Sequence, residues 1–93
     1  MFNVNEYFDG NVKSIGLENT EGKSTVGVMA KGEYEFGTST IELMTLISGS
    51  WDIMLPNKTE WKSYAVGETF EIAKDQKFKL VVKEDSAYLC QYK

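Results

Sequence analysis

The chain has 93 residues, 42% hydrophobic and 26% charged, which suits one domain around a single modest core and excludes a disordered polypeptide. Its net charge of −4 argues against a surface built to neutralise nucleic-acid phosphates. All ten cations are lysines, so an oxyanion site must use ammonium groups, hydroxyls or backbone N–H groups in place of guanidinium forks.

The opening "MFNVNEYFDG" carries acidic residues and lacks the apolar run of a signal peptide. Within it "VNEYFDG" (4–10) is the one early helix candidate, a short turn capped by Asn3 or Asn5. From there the chain reads as short β-rich runs separated by turn chemistry about every ten residues, the pattern of an all-β barrel or sandwich. The expected strands are 11–18, 24–36, 41–55, 61–67, 69–74, 78–83 and 87–93. "NTEGK", "PNKTE", "KDQK" and "KEDS" supply the turns between them. Ser48-Gly49-Ser50 predicts a bend or tight turn that splits 41–55 into two strands. Alternation supports the reading: Phe78, Leu80 and Val82 share one face of their strand, and Phe70 and Ile72 one face of theirs. No linker or repeat divides the chain, so 1–93 is expected to be a single domain. No segment approaches the roughly 20 apolar residues of a membrane helix. The single cysteine, Cys90, excludes an intrachain disulfide and fits a reducing, cytoplasmic setting.

The chemistry is narrowed by what is missing. Without histidine, Ser–His–Asp and Cys–His catalysis are excluded and a transition-metal site lacks its usual ligands. A hard-cation site from Glu33, Glu35 and Glu42 stays open, against the plainer reading of solvated carboxylates. Cys90 reads as a small packed residue. A polar set remains on otherwise apolar strands: Lys31, Glu33, Thr38, Thr40, Glu42, Thr45, Tyr88 and Gln91. If the strands converge, these line a small-molecule pocket. Trp51 and Trp61 are candidates for stacking a base, or for core or dimer packing.

Several stretches together carry a resemblance: "NEYFDGNVKSIG" (5–16), "VGVMAKGEYEFGTST" (26–40), "ELMTLISG" (42–49), "LP" (55–56) with Trp61, Gly67 followed by Phe70, and "YLCQY" (88–92). They resemble the small cupins of the pyrimidine/purine nucleoside phosphorylase family. Where metal-binding cupins carry histidines after a glycine, this chain has Thr38 and Thr40 after Gly32. Glu42 keeps the cupin distance to Gly49. The resemblance implies a single-domain cupin-type jelly-roll β-barrel that forms homodimers. It also implies cleavage of purine and pyrimidine nucleosides by phosphate, giving the free base and ribose 1-phosphate, with no cofactor and no metal.

On barrel geometry, Glu42 or Glu33 would accept hydrogen bonds from the ribose hydroxyls and face the cationic sugar. Lys31 with Thr38, Ser39 and Thr40 would hold phosphate, and Tyr88 or Gln91 would face the sugar or the base edge. Two other readings stand beside this one: a metal-free cupin module that binds a sugar or nucleotide without turnover, and a partner-binding β-domain with no pocket.

Overall fold

The computed structural model describes residues 2–93, which form eight β-strands. These are β1 (Val4–Tyr7), β2 (Val12–Asn19), β3 (Gly22–Met29), β4 (Gly32–Gly37), β5 (Glu42–Met54), β6 (Lys62–Tyr64), β7 (Thr69–Ile72) and β8 (Lys77–Tyr92). Every pairing is antiparallel, in the order β1-β2-β3-β8-β5-β6, with β4 also on β8 and β7 also on β5. No helix among the described residues is long and apolar enough to cross a membrane.

Two long strands organise the molecule. The first half of β8 pairs with β4 (Gly32↔Val82 to Gly37↔Lys77) and its second half with β3 (Ser24↔Gln91 to Met29↔Ser86). Beside it, β5 takes β7 along Glu42–Thr45 and β6 along Trp51–Ile53. Both strands bend midway, so one apolar stripe on each faces a common core. From β8 it receives Phe78, Leu80, Val82, Tyr88 and Cys90, and from β5 Met44, Leu46, Trp51 and Ile53. The stripes follow the two-residue period the sequence displays.

The bends correct the expected turns. Ser48-Gly49-Ser50 does not reverse the chain: β5 runs through it with register shifts against β8 between Leu46 and Trp51. Gly49 adopts φ +107°, the left-handed backbone that a bulged strand uses to change direction. A Cβ there would overlap the Ser86 side chain, 2.7 Å from its Cβ. The facing bend in β8 is the supposed "KEDS" turn. Its charges stay in water while Ser86 Oγ, buried, donates to Glu84 O (2.8 Å) and accepts from Ser50 N–H (3.3 Å). A charged run beside a serine is a turn signal locally, and tertiary pairing overrides it.

Three further boundaries move. The expected 24–36 strand breaks at Ala30–Lys31, where Ala30 N–H donates to Asn11 O (2.8 Å) and Lys31 N–H to Asp85 Oδ1 (2.9 Å). The helix candidate 4–10 is instead β1 and a turn with positive φ at Phe8, Asp9 and Gly10, because Val4–Tyr7 finds a ladder partner in β2. The 61–67 strand shortens to β6, since Ala65–Glu68 closes a turn through Glu68 N–H to Ala65 O (3.0 Å).

Candidate functional site

A cavity of about 260 Å³ opens at the end of the core where β5 begins and β8 ends. Its polar lining is the Glu42 carboxyl, the Cys90 thiol, the Ser14 hydroxyl and the phenols of Tyr7, Tyr88 and Tyr92. Met29, Met44, Phe36 and Phe78 supply the apolar wall.

Register explains the convergence. Glu42 opens β5 opposite Tyr92 of β8 and Ile72 of β7, and Met44, two residues on, faces Cys90. Residues 88, 90 and 92 therefore project to the same side as Glu42 and Met44. Across the sheet, Ser14 pairs with Gly27, which pairs with Tyr88. Gly27 makes that row workable: a Cβ there would stand 2.7 Å from the Tyr88 Cζ and Oη atoms and from Lys13 O. The bare backbone lets the Tyr88 ring lie across β3 and reach toward Ser14.

The electrostatics are those of one anion among neutral donors. Burial raises the Glu42 pKa above the usual carboxylate value, partly offset by the hydrogen bond that Cys90 Sγ donates to Oε1 (3.4 Å). Burial, then the adjacent Glu42 charge, pushes the Cys90 thiol up to about 12, so it stays protonated and remains a donor. Burial likewise raises Tyr88 to about 12 and raises Tyr92, whose hydroxyl shares a hydrogen bond with Thr25 Oγ1 (3.1 Å). No lysine lines this cavity. Among the described residues no three His, Cys, Asp or Glu side chains are grouped to hold a metal, and one carboxyl with one thiol does not make a ligand set.

Comparison with known proteins decides the family. A model of the pyrimidine/purine nucleoside phosphorylase family matches residues 2–92. The chain belongs to that family. Curated relatives bearing the family name include one from Pseudomonas putida (strain W619), 55% identical over 93 residues and covering 100% of this chain and 99% of the relative. Another, from Pseudomonas aeruginosa (strain LESB58), is 53% identical with 100% of both chains covered. A solved Vibrio parahaemolyticus protein of unknown function superposes with TM-score 0.93 at 40% identity, covering 100% of this chain and 99% of its own. An RmlC-like cupin from Shewanella frigidimarina, 14% identical with TM-score 0.77 over 98% of this chain and 82% of its own, shows that the fold is a cupin fold.

Within this family member the candidates from sequence separate by face. Glu42 and Tyr88 line the cavity. Glu33 is exposed, because it alternates on β4 with Tyr34 and Phe36, which face the core. Gln91 alternates with Cys90 and Tyr92 and lies on the outer face of β8 with Leu17, Ser24 and Leu89. Lys31 is exposed where β3 gives way to β4. Thr38 is buried, but its hydroxyl donates to Ala73 O (2.6 Å) and accepts from Gln76 N–H (3.0 Å), so it braces the β7–β8 turn. Ser39 is exposed, Thr40 Oγ1 donates to Ile41 O (3.3 Å), and neither lines the cavity. Trp51 is fully buried and Trp61 lies exposed before β6, so neither reaches the cavity.

Four polar cavity residues, Ser14, Cys90, Tyr92 and Tyr7, lie outside the site residues expected from sequence. Cys90 and Tyr92 carried a usable signal, since the period of two in "YLCQY" groups them with Tyr88 and against Gln91. Ser14 shares a face with the buried Val12, two residues away on β2, and is legible in the same way. Tyr7 had no such signal, lying in the segment that reads as helix.

Proposed function

We propose that the chain is a phosphorylase that cleaves the N-glycosidic bond of purine and pyrimidine nucleosides with inorganic phosphate. A phosphate oxygen bonds to C1′ as the C1′–N bond breaks, and the electron pair leaves with the base. The proton carried by hydrogen phosphate ends on the base nitrogen, giving free base and ribose 1-phosphate. The observation that carries this reading is the partly buried Glu42 carboxyl in a cavity lined by no cation. A desolvated carboxylate with no ion partner is costly in the resting enzyme and gains most when positive charge develops on the sugar. The hydroxyls of Ser14, Tyr7, Tyr88 and Tyr92 suit hydrogen bonds to ribose oxygens, and Met29, Met44, Phe36 and Phe78 offer apolar and aromatic faces to a base. Such contacts read no Watson–Crick edge, which suits a broad base range. The chemistry needs neither metal nor cofactor.

We further propose a cytoplasmic homodimer. The buried free thiol Cys90 is of a kind that a reducing compartment preserves. Val4, Ile15 and Val26 align in register across β1–β2–β3 and, with Val28, expose an apolar row on the outer face that a second copy would cover.

The test is incubation of the purified chain with uridine or inosine, with and without phosphate. Free base and ribose 1-phosphate should form in equal amounts and only when phosphate is present. Release of base without phosphate, or nucleoside binding without turnover, would overturn the proposal.

A further inference from the structure

The cavity does not hold its second substrate comfortably. Phosphate must lie beside C1′, yet the only ionised group lining that space is the Glu42 carboxylate, which repels it. The electrostatic complement lies just outside. A second, more open space of about 430 Å³ adjoins the cavity and shares Tyr92 with it. Two hydrogen bonds span the boundary: Tyr92 Oη with Thr25 Oγ1 at 3.1 Å, and Asn5 Nδ2 to Ser14 Oγ at 3.4 Å. Thr25 and Asn5 line the outer space, while Ser14 lines the inner one.

Lys23 is the only cation lining either space. It stands two residues before Thr25 at the hairpin end of β3, on the face of Thr25, Gly27 and Met29 by the period of two, and it also borders the outer groove beside Gln91. Its ammonium is not held in an ion pair, the pairs among the described residues being Lys13–Glu6 and Lys83–Asp52. Glu18, the Cα partner of Lys23 on β2, also borders the space but makes no salt bridge with it.

We propose that Lys23, with the Asn5 amide and the hydroxyls of Thr25 and Tyr92, forms the oxyanion subsite that holds phosphate at the cavity mouth. This rests on the phosphorolysis reading and adds the place and partners of the second substrate. Sugar and phosphate then meet at Tyr92, with the anion on the lysine side and the developing cation on the Glu42 side. Tyr92, protonated at neutral pH, donates to whichever oxygen stands at that boundary. The phosphoryl group comes from inorganic phosphate in one direction and from ribose 1-phosphate in the other, and one subsite serves both.

Steady-state kinetics of uridine phosphorolysis test this in wild type, Lys23→Ala, Lys23→Arg and Lys31→Ala, each checked for folding by thermal unfolding. Lys23→Ala should raise the KM for phosphate about tenfold or more, the worth of a charge-assisted hydrogen bond, with the uridine KM changed less than about twofold. Lys23→Arg should restore most of the loss and Lys31→Ala should match wild type. In the synthetic direction Lys23→Ala should raise the KM for ribose 1-phosphate equally. A phosphate or ribose 1-phosphate KM left at the wild-type value in Lys23→Ala overturns the subsite. If wild type turns over no nucleoside, ³¹P line broadening of inorganic phosphate separates the two claims. Broadening by wild type and not by Lys23→Ala upholds the subsite while removing phosphorolysis, and equal or absent broadening removes the subsite.

Discussion

Glu42→Gln is the sharpest test of the catalytic reading, because it removes one charge and keeps the size of the side chain and an acceptor for the Cys90 thiol. A carboxylate about 4 Å from the developing sugar cation is worth about 4 kcal/mol at an effective dielectric constant near 20. Partial solvent access and the residual amide dipole reduce that to about 2–3 kcal/mol, a loss of about 30- to 150-fold in kcat. The assay is the initial rate of base release from uridine at saturating phosphate, with Glu33→Gln, on the exposed face of β4, as the control. Stability should move the other way. The folded-state pKa of Glu42 lies above its ordinary value, so its stabilising contribution is complete below the unfolded-state pKa and is lost as pH rises through the folded-state one. Above that folded-state pKa the wild type carries a desolvated charge that the glutamine variant lacks, and there Glu42→Gln should unfold at an equal or higher temperature. A variant within threefold of wild-type kcat would refute the role of the carboxylate. One that lost activity only because it melted earlier would refute the charge argument.

Three other outcomes follow from the same geometry. The Cys90 thiol lowers the Glu42 pKa by donating to it, so Cys90→Ala should move the acid limb of the kcat/KM profile to higher pH, and Cys90→Ser should move it back. Gly49→Ala places a Cβ against Ser86 at φ +107° and should cost about 2–4 kcal/mol, lowering Tm by roughly 10–20 °C in thermal unfolding. Lysine at both Val26 and Val28 charges the exposed outer row of β3 and should turn a dimer into a monomer in sedimentation velocity, and a mass unchanged from wild type would move the interface elsewhere.

Strand identity was largely legible, because an apolar period of two survives in Phe78–Leu80–Val82 and Phe70–Ile72 without knowledge of neighbours. Strand continuity was not. Ser48-Gly49-Ser50 and the charges at 83–85 are local turn signals, and only their pairing with each other shows that they bend two long strands. The site divides along the same line. Glu42 and Tyr88 are legible as polar groups on apolar strands, whereas Glu33 and Gln91 stand against the core-facing parity of their own strands. Thr38 was misleading for another reason. Its hydroxyl is drawn to backbone groups of the β7–β8 turn, a demand that nothing in the neighbouring sequence announces.

The bends and the site are parts of one arrangement. Because β5 does not reverse at Gly49, its first half stays in register with the end of β8, and Glu42 lies opposite Tyr92 and next to Cys90. Ser86, buried at the facing bend, holds that geometry from β8 through Ser50 N–H. The distance from Glu42 to Gly49 therefore has a structural reason of its own. It sets how far the strand runs before it bends, and so where the acidic end of the cavity lies. A one-residue insertion between Glu42 and Gly49 would shift the face on which Glu42 projects. It should abolish activity even where the fold survives.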